Sequence, residues 1–371
     1  MGRISHRLTI RRRDFLRQGG IGLAVGAAGS LLAGCSSQST EKGSAPSPTQ
    51  PFDGKTILTF YIDDTNPYTA GADAFKEFLD FAAAHQLGGE SSVILGYNWE
   101  DHGLLSNPST DEQRSYIEQA KRAYDCGIDT HMELMTHSGL FDFDTGQVSD
   151  GAQHEGVWLH EPEVSQDQYE AYFRGILDEG DKIDIRFTGV TWPGCGCDAC
   201  ELRYSELMQG GGVKVNPNLW KALLNLASEG RFRGETVPCF VLGGLEEHAL
   251  AAMASEGKYG VYDLYPHVDD FFGIWDNLPE RVNADTYISA DGTSGRIVEK
   301  INAGASHCVL YGHWQGLNPA TGVGWDAFKT VVQRLESHYP DRILWMRPSA
   351  LTDLVHQGDL IPSQPVPASD A

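Results

Sequence analysis

Asp63 and Asp64 close an apolar run from Thr56 to Ile62 and are followed at once by Thr65, Asn66 and Pro67. Neighbouring carboxylates at the end of a strand point in different directions. One of them can therefore hold a divalent ion while the other takes a proton from water. Asp, Asn and Pro also favour turns, so the pair by itself reads as well as a turn as it does as a site. Two histidines follow runs of the same kind, His137 in Met135-Thr136-His137-Ser138 and His313 in Leu310-Tyr311-Gly312-His313. An imidazole titrates near neutrality and can bind an ion or hand a proton to a leaving group. A third group is Cys195-Gly196-Cys197-Asp198-Ala199-Cys200. Its Cys197–Cys200 spacing suits a structural zinc completed by Cys195 and a remote ligand, and equally a disulfide.

Such residues need a scaffold that brings strand ends together. Short β-type runs recur at Thr56–Ile62, Ser92–Leu95, Asp129–Met135, Ile183–Thr191, Val237–Leu242, Gly260–Leu264, Ala284–Ser289 and Ser306–Tyr311. Amphipathic stretches lie between them at Ala72–His85, Asp111–Cys126, Ser165–Glu179, Leu219–Ser228 and Gly324–Tyr339. About eight strand–helix repeats predict an α/β fold of one domain, a distorted TIM-like (β/α) barrel over residues 52–356. No Gly-rich phosphate loop follows the first strand, which disfavours an open dinucleotide-binding sheet. Aspartates, histidines and aromatics then fall at the carboxyl ends of successive strands, the catalytic face of such barrels. Tyr97, Trp99, Trp192, Tyr265 and Trp314 sit there as candidates to stack on sugar rings. Cys126 and Cys308 lie in apolar runs and read as buried thiols.

The ends of the chain read differently. Arg11-Arg12-Arg13-Asp14-Phe15-Leu16, a Gly/Ala-rich apolar stretch and Leu31-Leu32-Ala33-Gly34-Cys35 resemble a twin-arginine lipoprotein leader. Residues 1–34 are then a signal peptide, Cys35 the lipidated N-terminus, residues 35–51 a polar tether and residues 357–371 a tail. The expected location is exported and membrane-anchored, with lipid as the only membrane contact. The net charge is −23, and the leader is the basic part of it. Such an acidic surface repels phosphate backbones and excludes nucleic acid as a partner.

The Asp63-Asp64 pair, Thr136-His137-Ser138 and the late Leu310…His313 run, in that order, resemble the motifs of the polysaccharide deacetylase (NodB-type) family. Gly324–Phe328, Val331–Leu335 and Arg342–Met346 resemble its last helix and closing apolar segment. The resemblance implies a divalent metal (zinc, manganese or magnesium) and removal of acetyl groups from a sugar. It makes Asp64 and His137 metal ligands, Asp63 the base and His313 the acid. The family's second motif carries another His four residues after the first, where this chain has Phe141, so a third ligand must come from elsewhere. Asp142 is the nearest candidate. An additional carboxylate favours oxygen-loving ions such as manganese or magnesium. His131 lies six residues before His137, roughly 20 Å along a regular strand, too far to share an ion. The family's Arg-containing motif is replaced by Thr191-Trp192-Pro193-Gly194. Two alternatives remain on the same barrel. One is a glycoside hydrolase drawing its acids from Glu133, Asp142, Glu161, Glu246 and Asp263. The other is a lipoprotein that binds glycans without turning them over.

Overall fold

The structure is a computed structural model that describes residues 52, 54–68, 71–97, 99–149, 154–194, 215–240, 250–268 and 277–362, without the side chains of 99 and 100. Cys35 with its leader and tether, the Cys195–Cys200 group and Glu246 fall outside the described residues. Its strands are β1 (Thr56–Asp63), β2 (Gly89–Val93), β3 (Ile128–Met132), β4 (Phe141–Asp142), β5 (Gln147–Val148), β6 (Gly189–Thr191), β7 (Thr236–Phe240), β8 (Leu250–Glu256), β9 (Tyr259–Leu264), β10 (His307–His313) and β11 (Ile343–Trp345). The longer helices are α1 (Gly71–Ala84), α2 (Asp111–Ala123), α3 (Gln166–Asp181), α4 (Pro217–Ser228), α5 (Arg296–Asn302), α6 (Trp325–His338) and α7 (Pro348–Gln357).

One sheet runs β10-β1-β2-β3-β6-β7-β9-β8, with β11 added to the start of β1. Every pairing along it is parallel except that of β8 with β9. No ladder closes the ring among the described residues. The chain beyond β9 instead makes one isolated parallel bridge, Val268 to Leu310, in which Tyr311 N–H donates to the Val268 carbonyl. The fold is thus the expected distorted (β/α) barrel, held at its seam by one bridge.

The helices form where the sequence supplies both an apolar stripe and a start signal. Capping boxes, Thr110 with Gln113 and Ser165 with Gln168, open α2 and α3, and Asn216 ahead of Pro217 opens α4. α1 buries Phe75, Phe78, Leu79 and Ala82, a three-and-four spacing that faces Phe60 of β1. Gly89 is required opposite that ring, because a Cβ there would lie 2.4 Å from Phe60. Inside the ring Tyr61 stacks between Phe240 and Tyr311, with centroids at 3.8 and 4.5 Å.

Three expectations change. Ala284–Ser289 is no strand. Asn283 caps the Asp285 N–H and turns the chain into a single 3-10 turn, although Tyr287 and Ile288 still reach the core. Ile183–Thr191 is strand only from Gly189, because Asp184 takes a left-handed φ of 57°. The β4–β5 hairpin and β8 have no counterpart in the sequence reading, the first having arms of two residues and the second being a half-exposed hairpin arm, whereas β11 falls within the closing apolar segment Arg342–Met346.

Candidate metal centre

β1 and β10 pair in register, so that Asp63 lies beside His313 and Tyr61 beside Tyr311. The Tyr311 hydroxyl donates to Asp63 Oδ2 at 2.8 Å and lies 2.9 Å from His313 Nε2, while Asp63 Oδ2 and His313 Nε2 are 3.8 Å apart. The hydroxyl has one proton and gives it to Asp63, so the His313 contact needs the proton on Nε2. All three residues are buried.

Asp64 follows β1 with φ 68° and turns its carboxylate away from Asp63. After β3 the chain leaves the strand at Glu133, and Leu134 and His137 take φ of 51° and 56°. That folded-back segment carries the His137 ring to Glu133, four residues earlier. Asp64, Glu133 and His137 each offer a ligand atom, all within 4.8 Å of one another. His137 Nε2 is 3.0 Å from Asp64 Oδ1 and 3.2 Å from Glu133 Oε1. Each carboxylate spends its other oxygen on the protein. Asp64 Oδ2 accepts from Gln315 Nε2 at 3.0 Å, and Glu133 Oε2 accepts from Ser92 Oγ at 2.5 Å and Asp64 N–H at 2.7 Å. Glu133 Oε1 is buried and faces the His137 ring.

These residues fit a divalent ion. Ligands about 2.1 Å from one ion stand about 3.0 Å apart in octahedral and about 3.4 Å apart in tetrahedral arrangement, which brackets the separations seen here. Two oxygens and one imidazole nitrogen suit zinc, manganese or iron, and outer donors aim them as at a metal site. The charges agree. Burial opposes the ionisation of Asp64, yet the adjacent His137 charge and hydrogen bond carry its carboxyl well below the ordinary range. Burial likewise opposes the His137 cation, and Asp64 and Glu133 outweigh it, raising that imidazole well above its usual value. Burial and the Asp64 charge raise Glu133. A proton on His137 thus holds the place between two carboxylates that a cation would take.

Asp142 does not join this group. It is exposed in the β4–β5 hairpin, where Oδ1 accepts the N–H groups of Asp144 and Thr145 at 2.9 and 3.1 Å. Glu133 stands in its place, with burial in its favour. The separation of His131 from the centre holds, but the basis for it changes, since β3 ends at Met132. Among the aromatics, half-buried Tyr97 stands at the mouth with its ring 6.5 Å from that of His137. Burial and the Asp64 charge raise its phenol. Trp314 is a core residue against Phe75 and Phe78. Trp192 is buried as well, its Nε1 donating to the Gly156 carbonyl at 3.2 Å. Tyr265 is half-buried just beyond β9, and the Trp99 side chain lies outside the described residues. Cys126 and Cys308 are buried free thiols, as expected.

Sequence reasoning passed over Tyr311 as a member of the site and weighed Glu133 only as a glycosidase acid. The signal for Glu133 was its four-residue spacing from His137, which a regular strand would have wasted and a turn makes useful.

No protein-family model and no curated protein sequence matches the chain. Solved structures do. A 4-alpha-glucanotransferase from Thermococcus litoralis is 12% identical over 83% of this chain, with a TM-score of 0.43. The chain spans 41% of the length of that protein. A peptidoglycan N-acetylglucosamine deacetylase is 12% identical over 80% of this chain and 87% of its own, with a TM-score of 0.36. A candidate glycoside hydrolase/deacetylase from Parabacteroides distasonis is 10% identical over 83% of this chain and 73% of its own, with a TM-score of 0.46. The chemistry of the site rests on its own residues.

Proposed function

We propose that the protein is a metal-dependent hydrolase that removes acetyl groups from a carbohydrate, exported and tethered to the membrane through lipid on Cys35. The observation that carries the catalytic reading is the convergence of Asp64, Glu133 and His137 on one point at the barrel mouth. The Asp63–Tyr311–His313 unit sits on the adjoining strand pair. A divalent ion, when bound by Asp64, Glu133 and His137, supplies Lewis-acid polarisation of an acetyl carbonyl and makes water more acidic. Asp63 takes the proton of the attacking water, in the role of general base. His313 returns a proton to the departing amine or hydroxyl, and Tyr311 keeps the two groups in register. Half-buried Tyr97 offers a ring face to the sugar. Export and anchoring rest on the leader sequence and Cys35.

The test is acetate release from acetylated chitooligosaccharides and acetylated xylan by protein purified without chelators. Activity lost on chelation and restored by manganese or zinc supports the reading. Activity indifferent to chelation, or bond cleavage between sugars without acetate, overturns it. For the anchor, Cys35→Ala is expected to move the protein from the membrane fraction to the soluble one.

A further inference from the structure

His137 carries a left-handed φ of 56°, and Leu134, three residues before it, one of 51°. Such conformations are unfavourable for an L-residue and persist where surrounding contacts over-determine them. The contacts come from two consecutive residues seventeen and eighteen positions downstream. The Glu155 carboxylate is fully buried and accepts three successive backbone N–H groups: Met135 at 2.9 Å, Thr136 at 3.1 Å and His137 at 2.8 Å. Tyr172 donates its hydroxyl to the same carboxylate. The His154 ring accepts Gly156 N–H through Nδ1 at 3.0 Å and hydrogen-bonds to the His137 backbone. With Nδ1 accepting, the ring proton is on Nε2, so this second bond is a donation to the carbonyl. The two segments are also stitched by Glu155 N–H to the Ser138 carbonyl at 2.7 Å and by a bridge between Gly139 and His154. His137 is thus held by its own N–H and C=O from opposite sides, and the His154 ring also stands edge-on to its imidazole with centroids 6.3 Å apart.

We propose that His154 and Glu155 are positioning residues that set the His137 ring in ligand geometry before any ion arrives. The inference rests on the metal reading of Asp64, Glu133 and His137. Outer contacts that orient a ligand are typically worth about 10- to 100-fold in metal affinity. Here they act through the main chain, which fixes where the ring begins.

The experiment titrates Mn2+ into the full-length protein and its Glu155→Gln and His154→Ala variants by calorimetry. It also records the visible absorption spectrum of the Co2+ form and hydrogen exchange of the peptide spanning residues 134–139. Glu155→Gln keeps the volume but turns an N–H donor toward backbone N–H donors; His154→Ala carries the test if that variant does not fold. The expected results are Mn2+ affinity about 10- to 100-fold weaker for Glu155→Gln and by a smaller factor for His154→Ala. The Co2+ spectrum should be altered and exchange at 134–139 faster in both. A folded variant with a lowered Tm but wild-type affinity and Co2+ spectrum overturns the proposal, since that is what a merely structural role predicts. Unchanged exchange at 134–139 overturns it too. If the wild-type protein binds none of these ions, the metal reading fails. Faster exchange in the variants then still supports the grip on His137, and unchanged exchange refutes it.

Discussion

Two acid–imidazole groups of the barrel, one at the mouth and one in the chamber beneath, differ in charge. At the mouth His137 stands 3.0 and 3.2 Å from two carboxylates and is driven to its cationic form. Below, His131 of β3 stands 3.8 Å from Glu90 of β2, both without solvent exposure, with Thr191 donating to Glu90 at 3.1 Å. Burial pushes His131 down to about 3, and burial with the Asp63 charge raises Glu90 well above its usual value, so both shifts favour the neutral forms. The contents are alike; the spacing and the number of carboxylates differ. A second carboxylate and direct contact repay the desolvation of a charge, whereas one carboxylate at 3.8 Å does not. Only the mouth is therefore prepared for a cation.

The largest effect is expected of His137→Ala, which should abolish divalent-ion binding by calorimetry and acetate release with it. Because His137 holds a proton when no ion is present, binding must release it, and apparent Mn2+ affinity should rise with pH. An affinity flat between pH 6 and 8 would remove the charge contrast between the two groups. Next is Asp63→Asn, expected to keep the ion and lower turnover by roughly 10²- to 10⁴-fold, the usual worth of a general base. Loss of the ion in that variant would make Asp63 a ligand.

The chamber is read through stability. The unfolded chain protonates His131 below pH 6.5 while the folded one does not, so stability drains as pH falls from there toward about 3. Glu90 works the other way. Its folded form keeps a proton that the unfolded chain gives up above about 4.5, so stability drains as pH rises through that point. Above about 4.5 the two slopes oppose one another wherever both groups act. Urea unfolding of Glu90→Gln should then reveal stability lost on acidification, and that of His131→Gln stability gained. Identical slopes in the wild type and both variants would mean the pair is charged, like the mouth. The smallest effect is expected of Asp142→Asn, with unchanged ion affinity and a stability loss under about 1 kcal/mol from a weakened turn.

The sequence made the barrel legible because apolar runs ending in Asp63, His137 and His313 repeat at strand–helix spacing. The grouping of Asp64 with His137 came instead from the resemblance of their motifs to those of the polysaccharide deacetylase family. Glu133 stayed hidden because its role depends on left-handed backbone at Leu134 and His137, a conformation that neither residue type advertises. Tyr311 reads as one more apolar strand residue until the β1–β10 register sets it beside Asp63. Trp192 and Trp314 misled in the opposite sense, since an aromatic near a strand end serves the core as readily as a sugar.

The lone bridge between Val268 and Leu310 gives the barrel the mechanics of a split ring. Seven consecutive residue pairs tie β10 to β1, whereas on its other flank the described residues His267 and Val268 make four hydrogen bonds with Val309 and Tyr311. A ring of this kind parts at the slit and keeps its continuous arc. Local opening is accordingly expected to separate the β9 side from β10 while β10, β1, β2 and β3 stay together, a pattern that hydrogen exchange would show. Asp63, Asp64, Glu133, His137 and His313 all ride on that arc, so an opening at the slit would leave their mutual distances unchanged.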